Sequence, residues 1–550
     1  MKQQATNLLS QERVQVGLLV VFTILLYFTN LGQWDLWNPD EPRYAEVARE
    51  MVVNGDWTLM HYNGNVYPDK PPLYFWLVGL SSFLFQGFTS FCVRFPAAFF
   101  GTLTVLLTYL LGRSLFGPGT GFISGFILAT SFEFAFRSTR ANIDSTLMFF
   151  TTASLLCFIH WYRSSKQQGG RDQDSLRFAL YGFYLGMALA TLTKGPVGFL
   201  LPLLVSLVFL VIQRDWKALK EMRLLLGMLF MIGLVLLWYA PAVSKGGESY
   251  LQDTLFKHSI ARYSQGWAKV RPIYYYLYTF PMSFLPWAVF LPAAFLYGRF
   301  RQTLEKRKEY LFLFIWFAII FLFFSVSKGK RALYLLPLFP AAAIIVGKVW
   351  HDLIFSSVDV IRHEWMSIPL YGLVAVGFWG GLASPWIVSS KLPPFFWHSL
   401  PVAFVLVGIS LAMFFMHRLK HDGKAFILIV VMVAAGLFYA QRVVFPALNP
   451  YKSARLISEE IRSRISTGDK VCVYGKISAG SYNFYTGIVP IYDFSTRKDL
   501  FEFLKSSKRV FCLLTFKDYS KFQEFPDCPE MRLLTRRQVG KNDVVFISNQ

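Results

Sequence analysis

Hydrophobic residues make up 54% of this 550-residue chain and charged residues only 16%, with a mean hydropathy of +0.41. A soluble globular chain carries about 25% charged residues, so that class is excluded. The formal charge of +22 is scattered through short loops, not gathered on one face, which argues against nucleic acid as a partner and for contact with anionic membrane lipids.

Apolar runs of about 18 to 25 residues, each long enough to cross a bilayer as helix, recur along the chain. The first, Val14 to Leu31, is too long for a signal-peptide core and has no small-residue cleavage site, so it reads as a retained transmembrane helix. A polar stretch follows, Trp37 to Pro72, with the sequence WNPDEPRYAEVAREMVVNGDWTLMHYNGNVYPDKPP. It holds adjacent carboxylates (Asp40, Glu41), Arg43, and Lys70 ahead of Pro71 and Pro72. A plain connector between two helices has no need of that set, so this loop is expected to form half of an active site at a membrane surface.

Further apolar runs lie at about 73–90, 94–112, 118–136, 143–162, 178–193, 196–213, 223–243, 273–297, 310–326, 332–350, 367–389, 396–416 and 425–445. Basic loops at Arg163–Arg177, Arg214–Arg223, Arg299–Lys308 and Arg418–Lys424 fall on one side of the membrane, and Lys2 and Arg13 are expected there too. One run before Arg163 must then fail to cross. The run at about 73–90, which opens on Pro71-Pro72 and carries Gln86, is read as an interfacial helix. About thirteen spans remain, with the N-terminus cytoplasmic and the C-terminus outside. The outer side then receives residues 40–70, Arg137–Asp144, Lys194, Ser244–Pro272 and Ser325–Arg331. Topology does not require cations there, so Lys70, Lys194, Lys257, Arg262, Lys328, Lys330 and Arg331 suggest an anionic ligand.

From about Pro450 the pattern changes. Leu456, Ile457, Ile461 and Ile465 mark an amphipathic helix ending near Gly468, and β-like runs follow at 471–475, 489–493, 510–515 and 544–548, with helical stretches such as DLFEFLKSS between the middle ones. The expected architecture is a polytopic α-helical membrane domain over 1–449, carrying the catalytic loop 34–72, and an extracytoplasmic α/β domain over 450–550. None of the five cysteines has zinc-like spacing; one disulfide among Cys472, Cys512 and Cys528 is open.

The blocks DEPRYAEVAREM, GDW and YPDKPPLYFW resemble the signature of the lipid A aminoarabinose transferases and related membrane glycosyltransferases of the GT-C class. RFPAAFFG (94–101), RSTRANID (137–144), LTKGPVGFLLP (192–202), HSIARY (258–263) and SKGKRALYLLPLFPA (327–341) follow in order, so the similarity covers nearly all of the membrane part. The resemblance implies inverting transfer of a sugar, 4-amino-4-deoxy-L-arabinose, from a polyprenyl phosphate to a lipid A phosphate at the periplasmic face of the bacterial inner membrane. No nucleotide sugar is needed and no cofactor is firmly implied. Asp69 stands where the family's pattern leads one to expect glutamate, which leaves a metal or acceptor contact at that position unassigned.

Such a transfer needs fixed cations for the departing phosphate. Arg43, Lys70, Lys194 and Arg262 are the candidates, arginine being suited to bidentate phosphate contact. Tyr67 and Tyr334 are candidates to hydrogen-bond or stack on the sugar. Asp40 and Asp144 resemble the family's paired acids, expected to orient the acceptor and favour oxocarbenium character. Duller roles compete: Asp40 and Asp144 as helix caps, Arg43 paired with Glu46 or Glu50, Lys70 snorkelling. His258 alone is no metal site. Two rivals stand beside this reading: a transferase with another sugar or a protein acceptor, and a transporter of lipid-linked glycans. A transporter places ionisable groups near the bilayer midplane, whereas most charges here crowd at run ends.

Overall fold

The computed structural model describes residues 11–166, 173–255, 270–300, 307–355, 363–466 and 468–550. It is mostly helical and divides into two compact units. The first comprises Met1–Asn30, Asp69–Leu73 and Ala97–Ala440; the second comprises Leu31–Pro68, Tyr74–Pro96 and Gln441–Gln550. The boundary expected near 450 lies close to the break at Gln441, and the second unit also takes in most of the polar loop.

In the first unit the apolar runs become helices whose surfaces invert the usual order. Leu225, Leu237 and Phe404 are 75%, 75% and 81% exposed, an arrangement suited to lipid and not to water. Small polar side chains turn inward instead: on the helix Ile143–Ser165 the residues Thr146, Thr151, Thr152 and Ser154 are buried. Ser154 Oγ donates to the Phe183 carbonyl of the neighbouring helix at 2.8 Å, the kind of interhelical bond that replaces the hydrophobic drive in a bilayer. Nine helices among the described residues are long and apolar enough to span, eleven if each of two bent pairs counts as one span. Glu12–Tyr27 and Val197–Ile212, of 16 residues each, occupy two more of the expected runs. The chain is a multi-pass membrane protein.

Two runs expected as single spans are broken. The run at 118–136 divides into Pro118–Ala129 and Phe132–Ser138, bent by 72°. Thr130 and Ser131 turn their hydroxyls onto the carbonyls of Phe126 and Ile127 at 2.6 and 2.7 Å, competing with the backbone ladder. The run at 273–297 divides into Tyr275–Ser283 and Trp287–Tyr297, bent by 114°, with Pro286 between them lacking the N–H a continuous helix needs. The run at 223–243 continues to Gln252, changing direction at Gly247, so part of the expected 244–272 loop is helix.

The helices Gln173–Lys194 and Val197–Ile212 form a tight hairpin through Gly195 at φ +74. A Cβ on Gly198 would lie 2.2 Å from the Ala190 carbonyl carbon, so only glycine allows the two backbones this approach.

The second unit holds a five-stranded sheet. Its strands are β3 (Lys470–Tyr474), β4 (Tyr492–Phe494), β5 (Val510–Thr515), β6 (Arg532–Val539) and β7 (Asn542–Ser548), in the order β4-β3-β5-β7-β6. Pairing is parallel for β3 with β4 and with β5, and antiparallel for β5–β7 and β6–β7. The expected amphipathic helix is Arg455–Arg464. Strand β6 was not expected, because an edge strand exposed over most of its length carries charge in place of an apolar alternation. Cys472 and Cys512 face each other in register and, like Cys528, are free thiols. A two-stranded hairpin, β1 (His61–Tyr62) with β2 (Asn65–Val66), turns through Asn63 and Gly64, both at positive φ, the dipeptide such two-residue turns favour.

Gly198→Ala is expected to destabilise the purified protein by about 1–3 kcal/mol through overpacking against backbone. Gly233→Ala, whose Cβ meets nothing within 4 Å, should be neutral. Thermal unfolding in detergent measures both; equal midpoints would contradict the close approach.

Candidate active site

In the second unit, Arg94 is fully buried and uses every N–H it has. Its Nε and Nη2 donate to the two Glu41 carboxylate oxygens at 2.8 and 3.1 Å. The remaining bonds go to the carbonyls of Leu31, Trp34 and Asp35 at 3.0, 2.8 and 2.7 Å. The guanidinium also stacks 4.2 Å from the Trp34 ring. Glu41 accepts in addition from the Trp37 N–H at 3.1 Å. The segment entering the helix Asp40–Asn54 is therefore tied down at four residues by a single arginine. A signal for it lies in RFPAAFFG: an arginine at the head of an apolar run demands a partner.

The acids of this helix are divided among separate tasks. Pro39 takes the cap position, so Asp40 does not cap; it pairs with Arg43 at 2.8 Å, one turn on. Arg43, expected against Glu46 or Glu50, makes its ion pair with Asp40. Glu46 takes Arg49 through two bonds of 2.8 and 2.6 Å, and burial lifts its carboxyl above the ordinary value even so. Glu50 accepts from the N–H groups of Asn63 and Gly64 at 2.6 and 3.0 Å, holding the hairpin turn. Asn63 in turn donates to the Ile491 carbonyl, accepts from the Ile491 N–H, both at 2.7 Å, and accepts from Asn483 at 2.9 Å. Tyr485 exchanges bonds with Leu36, and Asn449 accepts from the Asp35 N–H and the Trp37 indole. The sheet-bearing lobe thus grips the polar loop at its entry, Asp35–Trp37, and at the hairpin turn of Asn63. Tyr67 is buried, its ring 5.8 Å from Tyr62 and 6.0 Å from Phe75.

In the first unit, three expected residues come together. Asn142, not Asp144, caps the helix Ile143–Ser165, accepting from the Ser145 N–H at 3.0 Å. That leaves the Asp144 carboxylate, itself buried, to accept from the Lys194 ammonium. The same ammonium lies 4.3 Å from the centre of the Tyr334 ring, a cation–π contact. Lys70, also of this unit, donates to the Asp69 carbonyl at 2.9 Å. Lys330 is 3% exposed and donates to the carbonyls of Ser327 and Arg271; burial pushes its ammonium below the usual value. Arg262 lies outside the described residues, as does His258. Among the described residues no group of three or more His, Cys, Asp or Glu side chains is placed to hold a metal.

The fold has likenesses among solved structures. ArnT from Cupriavidus metallidurans, solved in its apo state, matches with a TM-score of 0.81 over 97% of this chain and 98% of that one, at 22% identity. The same protein bound to undecaprenyl phosphate gives 0.79 over the same shares. The fold is that of a GT-C membrane glycosyltransferase. By sequence, residues 14–295 match the family of dolichyl-phosphate-mannose-protein mannosyltransferases, and the chain belongs to that family. An uncharacterized protein of Aquifex aeolicus is 30% identical over 447 residues, 81% of each chain. An undecaprenyl phosphate-alpha-4-amino-4-deoxy-L-arabinose arabinosyl transferase of Pseudomonas aeruginosa is 33% identical over 339 residues, 61% of this chain and 59% of that protein. The chain thus matches about three fifths of the length of such relatives. It is a polyprenyl-phosphate-sugar-dependent glycosyltransferase.

Replacing Arg94 by Met leaves Glu41 buried without its cation, a change that costs about 3–5 kcal/mol. The double variant Arg94→Met/Glu41→Leu removes both charges and is expected to recover part of that loss in thermal unfolding. A double variant no more stable than Arg94→Met would show that the ion pair is not the source of the cost.

Proposed function

We propose that this protein transfers 4-amino-4-deoxy-L-arabinose from undecaprenyl phosphate to a phosphate of lipid A, at the outer face of the bacterial inner membrane. The donor and sugar are those in the names of relatives 33% and 32% identical to it. The observation that carries the chemistry is the meeting of Asp144, Lys194 and Tyr334: an ammonium held by a buried carboxylate and lying on a phenol ring, with only 12% of the lysine side chain exposed.

In the reaction, the bond from the anomeric carbon to the donor phosphate oxygen breaks while a lipid A phosphate oxygen bonds the opposite face of that carbon. The configuration inverts, and the polyprenyl phosphate departs with the electron pair. Lys194, Lys70, Arg43 and Arg262 are the cations assigned to phosphate, where preorganised charge lowers the barrier. Asp144 and Asp40 are assigned to the acceptor and to the positive character at the anomeric carbon. The acceptor oxygen is already anionic, so no strong base is needed. Tyr334 and Tyr67 are assigned to the sugar. The outward orientation rests on the basic loops described above.

The mannosyltransferase family match favours one second reading, a protein acceptor. Mass spectrometry of lipid A from cells with and without the gene separates the two. A pentosamine increment that appears only with the gene is expected; an unchanged lipid A together with a newly glycosylated protein would overturn the lipid A assignment.

Asp40→Asn and Asp144→Asn should each lower transfer in isolated membranes by about 100-fold or more, the scale of losing one preorganised electrostatic group, at unchanged protein level. Turnover retained in either variant would remove that residue from its role.

A further inference from the structure

The opposite end of the Asp144 helix carries a second charged site. Asp144 stands in the first turn of Ile143–Ser165, and Arg163 near its last turn lies about 30 Å away along the axis at 1.5 Å per residue. There a cavity of about 170 Å³ is lined by Ile159, Tyr162, Phe209 and the charged side chains Arg163, Lys166, Lys308 and Glu309. It belongs wholly to the first unit. At roughly 30 Å³ per liquid water, it has room for about five or six waters, the scale of a glycerophosphate group and far below that of a polyprenyl chain.

Cations at helix ends ordinarily set topology and nothing more. Three features go beyond that here. The cations line a half-open cleft in place of spreading over a flat surface. Their own partners leave positive charge over: Lys166 pairs with Asp215 at 2.6 Å, Arg163 donates to the Ser114 carbonyl and stands 4.0 Å from Glu309, and Lys308 makes no ion pair among the described residues. Glu309, whose side chain is only 12% exposed, has its Oε2 buried without a hydrogen-bond partner. A buried carboxylate oxygen left unsatisfied costs free energy, and a ligand with a donor group would remove that cost.

We propose that this cavity binds the headgroup of an anionic glycerophospholipid from the leaflet opposite the Asp144 site. The phosphodiester oxygens meet Lys308, Lys166 and Arg163, and a headgroup hydroxyl donates to Glu309 Oε2. The glycerol and first methylenes lie on Ile159, Tyr162 and Phe209. Basic clefts between transmembrane helices take lipid phosphates in this way. The hydroxyl requirement selects phosphatidylglycerol over phosphatidylcholine, whose headgroup has no donor.

The test uses the full chain, delipidated in detergent and titrated separately with phosphatidylglycerol, phosphatidylcholine and inorganic phosphate. Native mass spectrometry counts bound lipid, and thermal unfolding reads the linked stabilisation. Phosphatidylglycerol should be retained and raise the midpoint, with phosphatidylcholine and inorganic phosphate doing neither. Lys308→Glu, at an exposed position, should weaken retention at least about tenfold, and Lys308→Arg should restore it. Glu309→Leu should narrow the preference for phosphatidylglycerol over phosphatidylcholine. Equal retention of the two lipids, or undiminished retention in Lys308→Glu, would overturn the proposal. Inorganic phosphate reproducing the full stabilisation would mark a site for free phosphate and overturn the lipid assignment.

Discussion

The second unit depends on the ion pair between Arg94 and Glu41. Both partners are almost completely buried, and a charge taken out of water is tolerated only when its bonds are made good. Arg94 meets that condition by spending its N–H groups on one carboxylate and three carbonyls. The chain from Leu31 to Glu41 has little choice of path once those bonds exist. Asp40 sits one residue before the clamped carboxylate, so its placement is a consequence of the clamp. A hydrophobic pair could fill the same space, but it would not specify where four backbone groups must go.

The same economy runs through both units. Acids of both units are each given a distinct partner: Asp40 to Arg43, Glu46 to Arg49, Glu50 to the hairpin turn, Asp144 to Lys194. Asn142 takes over the capping task that Asp144 would otherwise perform. Glycosyl transfer from a lipid phosphate needs charges that are already oriented and already stripped of water when the substrate arrives. A lysine held between a carboxylate and an aromatic face is oriented in advance and largely shielded from water. The sheet-bearing lobe contributes through Asn449, Asn483, Tyr485 and the backbone of Ile491, whose bonds hold the polar loop, Asn63 above all, within its own unit.

Much of this was written in local pattern. Long apolar runs became helices, and buried strands such as VCVY and VFCLLT stood out because their side chains face apolar neighbours on both sides. The breaks near Thr130 and Pro286 were hidden by the apolar residues that flank them. Strand β6 was hidden by its arginines: Arg536 and Arg537 pair with Asp543 and Glu460 at the exposed edge, so no alternation shows. Asn63-Gly64 is a local turn signal, buried in a loop whose charged residues draw the eye first. In the site, the residue types and the order of the motifs were legible, but not the partnerships. Glu41 and Arg94 are separated by 53 positions and Asp144 and Lys194 by 50, and no periodicity connects residues that far apart. Capping by Asn142 in place of Asp144 is a matter of one residue's register, finer than helix boundaries can be read from sequence.

The most direct measurement is the anomeric configuration of the product made by the purified protein from a synthetic polyprenyl-phosphate aminoarabinose and lipid A, read by NMR. A single displacement at a site of fixed charges predicts inverted configuration, with one polyprenyl phosphate released for each sugar transferred. Retained configuration, or a lipid-linked sugar that crosses the membrane without its glycosidic bond being broken, would contradict it.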